Sequence, residues 1–304
     1  MREDARHRSP ALGDLPERTL LLSVDFEDWH QLVRRRVGMA DWAQPGPALA
    51  RETGAMLALF EELRVRCTFF ILGMAARAHP DLVGAIAAAG HEIACHGDAH
   101  LPVHSQTPAE FLADLRRARD TIEELTGQRP IGYRAPAFSI TRTSLWAHAA
   151  LAEEGFAYDA SQCDSFARRD RPDPVHTRPH QLPDTGLWEF PVAAWRTRGR
   201  PLPVGGASYW TLAPTSLILH GLDRAGQCAG LYLHPNELDP RPLRPGLGPG
   251  ASVAQRGHGA LRGMQRNAAR RRAVPVLRAI ATHHRLIPYG DAHARLSTGS
   301  PART

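Results

Sequence analysis

The sequence contains no lysine in its 304 residues. That absence excludes chemistry that needs a side-chain amine or ammonium: Schiff-base catalysis, a phosphate-loop lysine, or the ATP-binding lysine of a kinase. Cysteine is scarce. The four present, Cys67, Cys95, Cys163 and Cys228, form no C-x-x-C pair, and two lie in apolar strand-like runs. This predicts reduced, buried thiols rather than disulfides or a structural zinc centre. Long hydrophobic runs are also missing. Nothing approaches the roughly 18 consecutive apolar residues of a membrane span. The charged stretch from Met1 to Arg18 precedes only a short apolar run, Leu20 to Val24, which is not a secretory signal pattern. The reading predicts a cytoplasmic protein.

What is present points to an enzyme-like globular domain. Hydrophobic residues make up 43% of the chain, enough to bury one substantial core. All 37 basic residues are arginine, against 31 acidic ones. The runs Arg34-Arg35-Arg36 and Arg270-Arg271-Arg272 read as solvated helix faces, and no nucleic-acid partner is expected from them. The sequence carries no reading of the oligomeric state.

From Thr19 onward, short apolar runs alternate with helical patterns, the signature of a parallel α/β sheet or barrel. Strands are predicted at Thr19–Val24, Cys67–Leu72, His91–Cys95, Ile131–Arg134, Phe156–Asp159, Leu187–Val192, Gly230–His234 and around Leu286–Tyr289. Helices are predicted over Ala48–Arg64, from Pro80, over about Ser144–Glu154 and near Asn267–His283. The sharpest boundary is Thr107-Pro108-Ala109-Glu110, a capping box with proline in the first turn, whose helix closes at Gly127. Two stretches lack periodicity and read as loops, 164–186 and 240–259. The expected organisation is a charged tail over 1–18, one domain over 19–290, and a loose tail over 291–304.

Groups capable of chemistry gather where strands should end. Asp25, Glu27 and Asp28 follow the first strand, His96 and His100 the third, Arg134 the fourth and His234 a late one. In α/β barrels the C-terminal strand ends carry the active site, because loops from many strands converge there. The His96-x-x-x-His100 spacing suits two imidazoles on one face of a helical turn, both reaching one divalent metal. With sixteen histidines, however, such a pair arises about once by chance. Three acids within four positions repel one another and are normally retained by a cation or a proton, although solvated loop acids are the plainer reading. Two imidazoles and one carboxylate would leave coordination positions open, as a catalytic metal requires.

Taken together, these segments resemble the polysaccharide deacetylase family, also known as the NodB homology family or carbohydrate esterase family 4. Ser23-Val24-Asp25-Phe26-Glu27-Asp28-Trp29 is similar to its first motif and His96-Gly97-Asp98-Ala99-His100 to its second. Arg134-Ala135-Pro136-Ala137-Phe138-Ser139 is similar to the third, and Leu231-Tyr232-Leu233-His234-Pro235 to the last. Tyr158-Asp159-Ala160-Ser161, Leu187-Trp188-Glu189-Phe190-Pro191 and His234-Pro235-Asn236-Glu237 resemble the branch associated with bacterial exopolysaccharide and exosortase systems. The likeness runs from about residue 19 to 290.

The resemblance implies a distorted (β/α) barrel of about seven strands. It also implies a divalent metal, zinc with cobalt or nickel as alternatives, held by His96, His100 and one carboxylate of the first motif. Strand alternation favours Glu27 for that carboxylate. The shorter side chain, matching the family's aspartate, favours Asp28. Asp25 would be the general base, Arg134 would orient it, His234 would be the general acid and Asp159 would tune His234. Only a backbone N–H would be needed from Ala137. The implied activity is hydrolysis of N-acetyl groups on amino sugars of a poly- or oligosaccharide, in exopolysaccharide synthesis. How the carbohydrate is met stays open, on a lipid-linked intermediate at the inner membrane face or otherwise. Two other readings stand beside it: hydrolysis of another non-peptide C–N bond, as in a cyclic amide or imide, and a barrel that only binds glycan.

Overall fold

Every residue of the first strand, Thr19–Phe26, is buried, as a strand covered on both faces must be. Its alternation decides what faces where. Leu20, Leu22, Val24 and Phe26 pack against the surrounding helices, whereas Leu21 joins a separate interior cluster with Phe70, Tyr158, Trp188 and Tyr289. Ser23 and Asp25 share the parity of Leu21, so the same period of two carries them inside.

The computed structural model describes residues 15–164, 176–197, 200–210 and 213–298. Its strands, in chain order, are β1 (Thr19–Phe26), β2 (Thr68–Ile71), β3 (Glu92–Cys95), β4 (Gly132–Tyr133), β5 (Tyr158–Asp159), β6 (His180–Gln181), β7 (Trp188–Glu189), β8 (Ala194–Thr197), β9 (Arg200–Pro203), β10 (Gly230–Leu233) and β11 (Arg285–Ile287). The main sheet runs β10-β1-β2-β3-β4-β5-β7-β6, with β11 also on β1, and only the β6–β7 pair is antiparallel. Just past β7, Val192 bridges Gly230 of β10 in parallel. This link curls the sheet round on itself, so that β1, β2, β3, β4, β5, β7 and β10 form the expected distorted barrel. The hairpin β8–β9 stands apart.

The helices Leu49–Leu63, Pro80–Ala88, Pro108–Thr126 and Trp146–Glu153 form where the apolar periodicity places them. Thr107 and Glu110 make the reciprocal capping box, and Gly127 closes the helix in the left-handed conformation at φ 68°. Such a cap stabilises by about 1 kcal/mol. All four cysteines are free and buried. Among the described residues no helix is long and apolar enough to cross a membrane.

Several boundaries differ from the sequence reading. The stretch 240–259 is not wholly a loop, because a helix begins at Val253 and runs to Arg270, capped by Ser252 and Gln255. Its glycines hide the periodicity: Gly259 sits where an added Cβ would come within 2.8 Å of Leu247, so the absence of a side chain serves packing. The single helix expected over 267–283 is instead this helix and a second, Ala273–His283. Pro275 explains the break, since its ring cannot continue a helix through Arg271. Residues 289–298 are helical rather than loose. Within the expected loop 164–186, residues 176–186 contribute β6, and 165–175 lie outside the described residues. Residues 1–14 and 299–304 of the expected tails also lie outside them.

Candidate active site

At the C-terminal end of β1 the chain turns sharply and sends three acids in different directions. Asp25, on the inner face, accepts from Arg134 Nη1 at 2.7 Å. Arg134 is fully buried and three more of its N–H groups donate to Ser23 Oγ at 2.6 Å, the Ala160 carbonyl at 3.0 Å and the Tyr289 hydroxyl at 2.8 Å. Its guanidinium lies 4.1 Å from the centre of the Phe70 ring. A planar fork held on every side keeps the Asp25 carboxylate in one orientation.

Glu27 retains the parity of Asp25 and meets the histidines. Its Oε2 lies 2.9 Å from His100 Nε2 and 3.9 Å from His96 Nε2, and its Oε1 lies 3.4 Å from His234 Nε2. One donor atom from each of Glu27, His96 and His100 falls within 4.8 Å of the others. The pair His96 and His100 is not on a helical turn, contrary to the spacing argument. The two rings meet across a loop in which Gly97 and His100 both adopt positive φ, 76° and 53°. Asp114, on the helix Pro108–Thr126, accepts the N–H groups of Asp98 and Ala99 and so fixes that loop from behind.

The chemistry of this set fits a divalent cation. His96 Nδ1 lies 2.8 Å from the Arg134 carbonyl. A carbonyl can only accept, so Nδ1 carries the hydrogen and Nε2 presents its lone pair to the site. Burial, opposed by Asp25 and Glu27, lowers His96 to about 4 and keeps it neutral. Burial raises Glu27, but His100, His234 and His96 outweigh it and hold the carboxyl at about 2. Burial disfavours a charged His100, but Glu27 raises it, so these two share a proton that a cation would displace, and two imidazole nitrogens with one anionic oxygen then make a zinc-type donor set.

Asp28 takes no part in this group. Its oxygens accept the N–H of His30 at 2.8 Å and of Gly46 at 2.5 Å, which makes it the N-cap of the helix Trp29–Arg36. The choice left open by the sequence is thus separated by geometry, with Glu27 facing the histidines and Asp28 closing a helix.

His234 follows β10 and is held by a residue the sequence reading did not single out. Its Nδ1 lies 3.2 Å from Glu237 Oε2, which also accepts the His234 backbone N–H at 2.9 Å. Burial disfavours the imidazolium, yet Glu237 and Glu27 lift His234 to about 9. The available signal was the spacing His234-Pro235-Asn236-Glu237, the i, i+3 pattern of a capped helical turn. Asp159 is not placed to tune His234. Tyr158 and Trp188 belong to the interior cluster, so their neighbours Asp159 and Glu189 point to the other face of the sheet. There Asp159 accepts from Ser161 Oγ at 2.5 Å and lies 3.5 Å from His148 Nε2.

A cavity of about 710 Å³ opens beside Glu27 and His100 and is lined further by Trp29, Pro102, Ala137 and Arg262. Ala137 lines it from a left-handed backbone, φ 54°. Arg35 donates to the Ala99 and His100 carbonyls at 2.9 and 3.3 Å, bracing the loop at its rim.

The family profile described as polysaccharide deacetylase matches residues 45–154, which include His96, His100 and Arg134. A second profile, a domain of unknown function called DUF3473, matches residues 164–272, which include His234 and Glu237. A peptidoglycan deacetylase-like protein of Gibberella zeae is 29% identical over 51% of this chain and 49% of its own length. A chitooligosaccharide deacetylase of Rhizobium leguminosarum bv. trifolii is 37% identical over 26% of this chain and 35% of its own length. The chain thus spans half or less of the length of these curated relatives. Among solved structures, a candidate polysaccharide deacetylase from Mycobacterium smegmatis superposes with a TM-score of 0.61 over 97% of both chains at 19% identity. An allantoinase superposes with a TM-score of 0.55 over 99% of this chain and 100% of its own at 18% identity. At these identities the two structures show the shared fold.

Proposed function

We propose that the chain, which matches the polysaccharide deacetylase profile over residues 45–154, is a divalent-metal-dependent hydrolase of that family that removes N-acetyl groups from amino sugars of a poly- or oligosaccharide. One observation carries this reading: Glu27, His96 and His100 converge beside a cavity that Glu27 and His100 line, with His234 Nε2 3.4 Å from the other Glu27 oxygen and paired to Glu237, and with Asp25 held by Arg134 on the same strand end.

A cation held by Glu27, His96 and His100 would polarise the acetamide carbonyl and make a water acidic enough to ionise near neutral pH. Zinc is the ion we favour, with cobalt or nickel as substitutes, because the donors are two imidazoles and one carboxylate. Asp25 is the general base that accepts a proton from the attacking water, and Arg134 fixes which of its oxygens is free to do so. The Ala137 backbone, which lines the cavity, is the candidate contact for the developing oxyanion. His234, charged at neutral pH through Glu237, delivers its proton to the sugar nitrogen, because an amide does not expel an unprotonated amine. Acetate and a free amino sugar result. The segments Tyr158–Ser161 and His234–Glu237 support an exopolysaccharide as the polymer. A lipid-linked intermediate at the inner membrane face is the form in which we place it.

The test is acetate release from an N-acetylated oligosaccharide with added Zn²⁺, Co²⁺ or Ni²⁺, with a cyclic imide assayed in parallel. No acetate with any of the three ions, or turnover of the imide alone, counts against the reading.

A further inference from the structure

On the far side of the sheet from Glu27, a second group of metal-binding side chains lies outside the chemistry described above. Asp159 ends β5 and Glu189 ends β7, and the parallel register sets these two residues directly side by side. Parallel neighbours are about 4.8 Å apart in the backbone, so the carboxylates are forced together. Asp159 is fully buried and Glu189 is 2% exposed. Two carboxylates removed from water at this spacing need a cation or a shared proton between them. The helix Trp146–Glu153 packs over the pair and brings His148, whose Nε2 lies 3.5 Å from Asp159 Oδ2.

One donor atom from each of His148, Asp159 and Glu189 falls within 4.8 Å of the others. Two ligands on a tetrahedral ion, each about 2.1 Å from it, are about 3.4 Å apart, close to the separation of the His148 and Asp159 atoms. The remaining contacts leave the right atoms open. Asp159 Oδ1 accepts from Ser161 Oγ at 2.5 Å and Glu189 Oε1 from the Gln162 N–H at 2.9 Å. Asp159 Oδ2 is buried and meets no N–H or hydroxyl donor among the described residues, and without a cation the Asp159 and Glu189 carboxyls are within reach to share a proton, which a cation would displace. All three side chains line a cavity of about 450 Å³, whose space allows water to complete the coordination.

We propose that His148, Asp159 and Glu189 form a second divalent-cation site, of zinc or manganese type, that is structural rather than catalytic. Its position gives it a task. Ser161 donates to Asp159 and accepts the N–H of Ala135 at 2.8 Å. Ala135 directly follows Arg134, whose carbonyl holds His96. A cation on Asp159 therefore fixes, through Ser161, the segment that carries Arg134 and leads to Ala137.

The full-length protein, stripped with a chelator, reloaded with Zn²⁺ alone or Mn²⁺ alone and desalted, is assayed for bound metal per chain by mass spectrometry. Two equivalents are expected in the native protein, one in His148→Ala, one in His96→Ala and none in the double variant. Glu189→Gln, which keeps an acceptor for the Gln162 N–H, should also hold one. The reloaded His96→Ala protein should melt at a higher temperature than its stripped form, and the double variant should show no such rise. A native protein whose metal content is unchanged by His148→Ala and by Glu189→Gln overturns the site and leaves Asp159 and Glu189 sharing a proton. Metal that is lost with His148→Ala but kept in His96→Ala supports this site while refuting the one at Glu27, so the two assignments fail separately.

Discussion

His234 and Glu237 hold each other twice across one helical turn: a single carboxylate oxygen of Glu237 meets both the ring Nδ1 and the backbone N–H of His234. Ser208 and Arg266 occupy the other oxygen, at 2.6 and 3.2 Å. Burial opposes ionisation of Glu237, but His234 and Arg266 hold it down at about 2, so the pair is an ion pair across the neutral range. A proton donor is thereby aimed and kept charged by one side chain.

Replacing Glu237 with Gln should therefore lower the pKa of His234 and shift the alkaline limb of the kcat/KM profile to lower pH. We expect kcat to fall about 10- to 100-fold with KM little changed, less than the 10²- to 10⁴-fold loss for His234→Ala. An alkaline limb that stays in place would refute the coupling, whatever the rate.

Glu27 and Asp28 should separate cleanly by substitution. Glu27→Ala is expected to lose the metal equivalent of this site together with activity, and its Tm, compared with the native protein with both stripped of metal, should change little. Asp28→Ala is expected to keep its metal and to lose about 1 kcal/mol of stability with the helix cap. Elemental analysis of both variants, each checked by thermal melting, would contradict the assignment if Asp28→Ala, and not Glu27→Ala, were the one to lose an equivalent.

Arg134→Gln strands Asp25 and leaves Tyr289 and the Ala160 carbonyl without their buried donor. Removing one partner of a buried ion pair typically costs about 3–5 kcal/mol, so urea unfolding should show a loss of that order. Arg134→Lys should rescue little, because an ammonium cannot serve four separate acceptors in the plane of a guanidinium fork. A lysine variant with near-native stability and rate would show that charge alone suffices.

Glu52 predicts a pH dependence of stability away from the active site. It is 2% exposed, its Oε1 accepts no hydrogen bond among the described residues, and Arg51 lies 3.8 Å away. Burial raises its pKa to about 7, with Asp239 and Asp28 adding to the effect and Arg51 opposing it. The folded protein therefore holds a proton that the unfolded chain releases near 4.5, and stability falls as pH rises from about 4.5 to about 7. Glu52→Gln should remove that fall. Its advantage over the native protein should be small at pH 5 and reach on the order of 3 kcal/mol at pH 8. Equal advantages at both pH values in urea melts would rule out the linkage.

Much of this was legible before the structure because period and punctuation are local. The strict alternation of β1 assigned Asp25 and Glu27 to one side, and Thr107, Glu110 and Gly127 bounded their helix to the residue. The histidine pair was legible as a pair but not in its conformation, because a loop that needs positive φ at His100 is set by Asp114 from a distant helix. Asp159 was assigned by resemblance of a segment, which does not say which face of the sheet a residue takes. Glu237 reads in the sequence as the acid of a capped helical turn, and its second bond, to the His234 ring, depends on the rotamer that only the packed site fixes. The helix over 253–270 was obscured by glycines whose purpose lies in the packing of Pro245 and Leu247.

The set of groups held by Arg134 also dictates when the site can exist. Ser23 and Asp25 are contributed near the beginning of the described chain, Ala160 from its middle, and Tyr289 from close to its end. During synthesis the guanidinium therefore lacks the Tyr289 hydroxyl until residue 289 has left the ribosome. A nascent chain halted before residue 289 would carry both histidines of the metal group and the Asp25–Arg134 pair, yet lack the hydroxyl that braces the guanidinium from the far side.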